Sequence, residues 1–205
     1  MILIISGPVG AGKTTIIKML CEKLANEKVF ISNEFNSTNA GQALLTERIS
    51  GKLRSQILQA YVLNYWEQLL KEDLKSKYTH IIFERDPLES IVMFAMKEYN
   101  NNPKTTEDFL TNQIINNLHY WAVRLHEEHQ DLLKPEIIIT IDTDEQSLEE
   151  RCNLIYKLIG NQYKVVKIIL TASTDSLLER IRTRNQADAN AYSREDIDYF
   201  REHVA

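Results

Sequence analysis

The chain has 205 residues, with 24 Lys and Arg against 29 Asp and Glu, which gives a formal net charge of −5 at pH 7. We expect a single domain over residues 1–205, because this length is typical of one domain with a full core. Hydrophobic residues make up 43% and charged residues 26% of the chain, which argues against disordered, collagen-like and coiled-coil proteins. The mild acidity argues against a protein whose main task is to bind nucleic acid.

The cysteines and the apolar start of the chain indicate an intracellular protein. Cys21 and Cys152 are too few for a disulfide framework, and neither belongs to a C-x-x-C pair. The apolar run at residues 1–5 follows no basic segment and ends at Ser6, so it predicts a strand rather than a signal peptide. No run reaches the roughly 18 apolar residues of a membrane span. We therefore expect a cytoplasmic protein that binds neither membranes nor nucleic acid.

Short apolar strands alternate with helices along the chain. The predicted elements are, in order, a strand at 2–6, a helix at 13–26, strands at 29–32 and 80–83 separated by a helix at 53–75, helices at 88–99 and 107–130, and strands at 137–140 and 167–171. Residues 37–51 are polar and poorly periodic, and we predict no element there. This alternation predicts an α/β fold in which helices cover both faces of a parallel sheet.

The turn after the first strand carries a phosphate-binding motif. Residues 7–14 fit G-x-x-x-x-G-K-[ST] without a mismatch, between a buried strand and a helix as the motif requires. Backbone N–H groups and the helix N-terminus would bind phosphates, Lys13 would reach the outer phosphates, and the Thr14 hydroxyl would ligate Mg²⁺. The sequence predicts a nucleoside triphosphate site with Mg²⁺, formed by Gly7, Pro8, Val9, Gly10, Ala11, Gly12, Lys13, Thr14 and Thr15.

Two carboxylates at strand ends favour a small-molecule kinase over a GTPase switch. The sequence has no D-x-x-G motif, whereas Glu34 and Glu84 follow the second and third strands. Parallel strands bind ligands at their carboxyl edge, so Glu34 is a candidate base and Glu84 a candidate Mg²⁺ ligand, direct or through water. Arg85 could pair with phosphate or orient Glu34. The alternative is that both acids are exposed loop residues.

Three arginines after the last predicted strand favour a phosphate-binding lid. Arg180 and Arg184 share a helix face, while Arg182 points away, so the first two are candidates for contact with the γ-phosphate. A solvated basic helix face is the alternative.

Taken together, these residues resemble the deoxynucleoside kinase family, which includes the thymidine kinases of herpes-type viruses. The resemblance covers residue 2 to about residue 203. It implies a P-loop kinase fold with an Arg-bearing lid, in which Glu34 deprotonates the nucleoside 5′-hydroxyl and Gln59 hydrogen-bonds the pyrimidine edge. In the same comparison, Glu84-Arg85 corresponds to the family's E/D-R motif, and Phe94 to the aromatic residue that packs on the base. The family's sugar-binding acid would fall at position 189, and Asp188, one position earlier, takes its place.

The pocket that the resemblance implies is apolar where cytidine-preferring relatives carry a charged pair. Trp66 and Ser90 occupy those two positions, and Val62 lies one turn beyond Gln59. We therefore expect an ATP- and Mg²⁺-dependent kinase for thymidine, or for pyrimidine deoxynucleosides broadly.

Several alternatives remain open at this stage. A thymidylate kinase would need a cation for the acceptor phosphate, which Arg48 or Arg54 could supply. A catalytically weak P-loop nucleotide-binding protein is a further candidate.

The long helix at 107–130 could form a homodimer. We expect its three histidines, His119, His126 and His129, to lie on a solvated face. If the lid follows the strand at 167–171, the strand at 136–141 is an insertion or an out-of-order strand of the sheet.

Overall fold

The computed structural model describes residues 1–7, 11–32, 35–91, 106–142, 145–159 and 164–169, together with positions 176 and 179. The chain divides into two compact units. The first unit comprises Met1–Ser32, Tyr78–Arg85 and Pro135–Ala205, and the second comprises Asn33–Lys77 and Asp86–Lys134. The single domain expected over residues 1–205 stays a prediction.

The described elements alternate as the sequence predicts. The strands are β1 (Ile2–Ser6), β2 (Val29–Ile31), β3 (His80–Glu84), β4 (Ile137–Asp142) and β5 (Lys164–Ile169). The helices are α1 (Lys13–Lys23), α2 (Asn39–Ile49), α3 (Ser55–Leu70), α4 (Leu74–Lys77), α5 (Pro87–Ser90), α6 (Thr106–Glu128), α7 (Gln130–Leu133) and α8 (Glu145–Ile159).

The first unit is built on a parallel sheet with the strand order β2-β3-β1-β4-β5. Every residue of β1 is buried, as expected for a central strand of a parallel sheet that is covered on both faces. Ile5 and Ile82 pack with Ile141 and with Ile17 of α1 in one apolar core. The predicted α/β fold with a parallel sheet is confirmed.

The strand β4 is an inner strand of this sheet, between β1 and β5. Its residues pair with β1 from Leu3 opposite Ile137 to Ser6 opposite Thr140. Ile138 is fully buried, as an apolar central strand requires. Of the two alternatives for this strand, an insertion is therefore wrong, because β4 pairs with β1 within the sheet. β4 is a regular neighbour of β1, and β5 takes the edge of the sheet.

The second unit is helical in its described part. One face of α3 is buried and packs on α6, whose Trp121 Nε1 donates a hydrogen bond of 3.0 Å to Glu67 Oε2. The predicted helix at 53–75 ends at Leu70 and is followed by the short helix α4. Nowhere in the described parts of the chain is a helix long and apolar enough to cross a membrane.

A helix occupies the segment where we predicted no element. α2 begins after Thr38, whose side-chain oxygen accepts a hydrogen bond of 3.0 Å from the Gly41 N–H. This N-cap stabilises a helix whose own apolar pattern is weak. The expectation of an irregular segment at 37–51 is wrong.

Candidate nucleotide site

The turn between β1 and α1 brings the described part of the phosphate-binding motif to the carboxyl edge of the sheet. A side chain at Gly7 would place its Cβ 2.6 Å from the Ile141 carbonyl oxygen, so only glycine allows β4 to approach this closely. Gly12 has φ +92°, and α1 begins at Lys13 directly after it. The N-terminus of α1 therefore lies in the motif, where its dipole favours an anion.

The remaining motif residues differ in exposure. Ala11 is buried, Thr14 is half-buried and Thr15 is exposed. Pro8, Val9 and Gly10 lie outside the described residues.

A buried ion pair joins the motif lysine to the acid at the end of β3. Lys13 Nζ lies 3.4 Å from Glu84 Oε1, and the two side chains are only 6% and 7% exposed. Glu84 reaches this position because β3 pairs with β1, with Ile5 opposite Glu84. The structure thus places the Glu84 carboxylate beside the side chain predicted to bind the outer phosphates.

The oxygen atoms near Lys13 suit a magnesium ion. Mg²⁺ takes oxygen ligands and commonly uses only one or two protein groups, with phosphate and water completing its coordination. The Thr14 hydroxyl and the Glu84 carboxylate are such groups, so the donor set fits the ion. Within the ranges that the structure describes, no three or more His, Cys, Asp or Glu side chains are grouped to hold a metal.

Arg85 turns the chain sharply after β3. Its φ is +71°, which makes it the one non-glycine residue with positive φ among those described. The Arg85 N–H donates a hydrogen bond of 2.9 Å to the carbonyl oxygen of Ile5, so this unusual backbone is held from β1. Strained conformations of this kind concentrate at functional sites.

β4 ends in a second buried ion pair that the sequence interpretation missed. Arg151 Nε lies 3.2 Å from Asp142 Oδ2, and the side chains are 1% and 4% exposed. Asp142 is the last residue of β4, which pairs with β1 and packs on Gly7 through Ile141. The signal was present, since Asp142 closes an apolar strand just as Glu84 does.

The three predicted base-pocket residues on α3 are buried within the second unit. Gln59, Val62 and Trp66 are each 5% exposed. This burial excludes the alternative of a surface Gln59. Gln59 Oε1 is buried without a hydrogen-bond partner among the described residues. Most buried polar side-chain atoms in native proteins have a partner, so each exception calls for an explanation. Gln59 Oε1 is one of six such atoms among the described residues.

His126 lies in a different environment from the one expected. Its Nε2 is 2.9 Å from Asp86 Oδ1, which also accepts a hydrogen bond of 2.8 Å from the Leu88 N–H at the start of α5. The His126 side chain is only 17% exposed, so its assignment to a solvated face was wrong. Burial lowers the pKa of His126, but the Asp86 carboxylate raises it by more, and the pKa lies above its ordinary value of 6.5.

The other predicted site residues lie outside the described residues. They are Glu34, Phe94, Arg180, Arg184 and Asp188. Their proposed roles stay predictions.

Comparison with known families identifies the chain as a nucleotide-binding domain. The family model for the CobW/HypB/UreG nucleotide-binding domain matches residues 1–192. The chain belongs to this family. The CobW/HypB/UreG family is not the deoxynucleoside kinase family that the motif order resembles, so that more specific assignment is not confirmed. No curated protein matches the chain significantly in sequence.

Solved structures similar to this CobW/HypB/UreG family member include P-loop kinases. A deoxyadenosine kinase from M. mycoides with dCMP and dCDP bound has a TM-score of 0.57 and 19% identity, over 100% of this chain and 81% of that one. The same kinase with bound dATP has a TM-score of 0.56 and 18% identity, over 100% and 82%. The thymidylate kinase from Candida albicans has a TM-score of 0.52 and 16% identity, over 93% of each chain. At these identities the likeness concerns the fold.

Proposed function

We propose that the chain is an ATP- and Mg²⁺-dependent kinase that phosphorylates the 5′-hydroxyl of a deoxynucleoside, with thymidine or pyrimidine deoxynucleosides preferred. The observation that carries the acceptor class is Gln59, a buried amide on the same helix as the buried Val62 and Trp66. Its side-chain oxygen has no hydrogen-bond partner in the part of the chain that the structure describes. An amide offers one donor and one acceptor side by side, which suits the edge of a nucleobase. The similar fold of a deoxyadenosine kinase with dCMP and dCDP bound supports this class.

The phosphate half of the proposal rests on the first unit. The N-terminus of α1 and Lys13 would bind the donor phosphates, with Thr14 and Glu84 as the groups that hold magnesium. When bound, the ion would neutralise charge on the transferred phosphoryl group. The Glu84 carboxylate, 3.4 Å from Lys13 Nζ, holds the Lys13 side chain in this nearly buried position.

The acceptor half of the proposal concerns the groups that act on the 5′-hydroxyl and on the transferred phosphoryl group. Glu34 accepts the proton of the nucleoside 5′-hydroxyl as the hydroxyl oxygen attacks the γ-phosphorus. The bond between that phosphorus and the bridging oxygen of ADP breaks. Arg180 and Arg184 stabilise charge on the transferred group. Arg85 orients Glu34 or binds phosphate.

Further proposed roles concern the acceptor itself. Phe94 packs on the base, and Asp188 binds the sugar.

Two further candidates each have an observation in their favour. A nucleoside monophosphate kinase is supported by the fold likeness to a thymidylate kinase, and would use Arg48 or Arg54 for the acceptor phosphate. A nucleotide-binding protein without acceptor-dependent transfer is supported by the family match over residues 1–192.

The test is nucleoside diphosphate release from Mg-ATP and Mg-GTP, without acceptor and with thymidine, the other three deoxynucleosides or thymidylate. Stimulation of ADP release by thymidine or deoxycytidine is the expected result. Stimulation by thymidylate alone would replace the proposal with a monophosphate kinase. Nucleotide binding without stimulation by any acceptor would replace it with the binding protein.

A further inference from the structure

Ser32 occupies an unusual position at the end of β2. It follows Ile31, the last residue of that strand, and is only 4% exposed. Its backbone N–H donates a hydrogen bond of 2.9 Å to the Ile82 carbonyl oxygen, and its side-chain Oγ accepts one of 2.9 Å from the Glu84 N–H. Ser32 and Glu84 belong to the same compact unit.

The second of these bonds replaces a regular contact of the sheet. In a parallel ladder, a residue that donates to one strand neighbour accepts through its carbonyl from the neighbour two positions later. A continued ladder would therefore join the Glu84 N–H to the Ser32 carbonyl, but the Ser32 hydroxyl accepts this bond instead. The side chain keeps the last residue of β3 hydrogen-bonded where β2 has already ended.

The backbone of Glu84 is thus held from both neighbouring strands. Ser32 binds its N–H on the β2 side, and the next N–H along the chain, that of Arg85, bonds to Ile5 of β1. Between these two anchors the Glu84 carboxylate meets Lys13 at 3.4 Å. Removing one anchor would leave a partly buried N–H without its partner at the residue that carries this carboxylate.

We propose that Ser32 is a positioning residue that orients Glu84 for magnesium-dependent nucleotide binding. The inference rests on the magnesium role that the proposed function gives to Glu84. Partners that orient a metal ligand commonly account for about 10-fold to 100-fold in metal affinity or activity. Ser32 itself contacts neither nucleotide nor metal in this account.

The experiment compares wild type with Ser32→Ala in the full chain by measuring the affinity for a fluorescent ATP analogue, in excess magnesium and in EDTA. Ser32→Ala is expected to weaken binding about 10-fold in magnesium, while the affinity in EDTA stays at the wild-type value. Ser32→Thr keeps the hydroxyl and is expected to bind the ATP analogue in magnesium with the wild-type affinity. Ser50→Ala removes an exposed hydroxyl that bonds to the Glu47 carbonyl, and is the matched control without effect.

A purely structural role would act differently, because a poorly packed Ala variant would lose affinity equally in magnesium and in EDTA, with a lower melting temperature. That result, or an unchanged Ser32→Ala, would overturn the inference. If Ser32→Ala does not fold, Ser32→Cys takes its place, because a thiol is a weak acceptor of similar shape.

The binding readout does not require an acceptor. If no acceptor stimulates ADP release, but Ser32→Ala still weakens binding of the ATP analogue in magnesium and not in EDTA, the kinase is refuted and the positioning role is supported. Acceptor-stimulated ADP release together with an unaffected Ser32→Ala would support the kinase and refute the positioning role.

Discussion

Replacing Gly41 by alanine should destabilise the second unit, because the structure has no room for a side chain there. A Cβ at Gly41 would lie 2.0 Å from the Phe35 carbonyl oxygen, 2.8 Å from the Phe35 carbonyl carbon and 2.9 Å from Thr38 Oγ1. Since Cβ contacts below 3.0 Å are essentially never seen, the Phe35 carbonyl would have to move by about 1 Å.

This movement would disrupt the start of α2. Thr38 Oγ1 donates a hydrogen bond of 2.9 Å to Phe35 O and accepts one of 3.0 Å from Gly41 N, and loss of such an N-cap costs about 1–2 kcal/mol. The Phe35 ring also contacts the Tyr61 ring edge to face, an arrangement worth about 0.5–1.5 kcal/mol. Alanine offsets about 1 kcal/mol of this loss, because it forms helices better than glycine. The net loss of stability is therefore about 0.5–2.5 kcal/mol.

The assay is urea denaturation of the full chain, followed by circular dichroism, with Gly51 as the matched control. Gly51 has φ +75°, and no described atom lies within 4 Å of the point that a Cβ would occupy, so a substitution there meets backbone strain but no clash. Asparagine tolerates this backbone, so Gly51→Asn should lower the free energy of unfolding less than Gly51→Ala. At Gly41, where space is lacking, asparagine should lower it more than alanine. A Gly41→Ala variant as stable as wild type, or more stable, would refute the packing argument.

Three further predictions concern single side chains. Glu34→Gln should still bind nucleoside but lower kcat by about 10²-fold to 10⁴-fold, because it removes the proposed base; a wild-type kcat would exclude Glu34 from the mechanism. Lys13→Met should weaken nucleotide binding by about 10-fold or more in calorimetry, since a charge-assisted contact is lost and Glu84 is left buried without this partner; an unchanged affinity would contradict the site. The raised pKa of His126 means that its pairing with Asp86 stabilises the fold fully below the ordinary pKa of 6.5, and that this stability is lost as the pH rises through the higher folded value. His126→Asn should therefore flatten the fall of the melting temperature as the pH rises above 6.5, and parallel curves for variant and wild type would rule the pair out as the cause.

The sequence was most informative where the local pattern decides the structure. The apolar run of β1 followed by the glycine-rich motif could be placed on a strand, turn and helix, because that motif depends on its own neighbours. The meeting of Glu84 with Lys13 was also predictable, since parallel strands end at a common edge and β3 pairs with β1.

Other features depend on packing that no local pattern reveals. α2 is held by a cap and by contacts of Phe35 and Thr38, while its own apolar periodicity is weak. The place of β4 beside β1 could not be read from two similar strand-and-helix copies, because either copy fits the pattern. The His126–Asp86 contact joins residues 40 positions apart, and only the packing of α6 on α5 brings them together.

The most direct test of the proposed chemistry is product identification by mass spectrometry after incubation with Mg-ATP and thymidine, beside a reaction with 5′-deoxythymidine, which lacks the acceptor hydroxyl. We predict thymidine 5′-monophosphate in equal amount to the ADP released, and no phosphorylated product from the analogue. ADP release that is the same with both compounds and yields no thymidine monophosphate would contradict phosphoryl transfer to the 5′-hydroxyl.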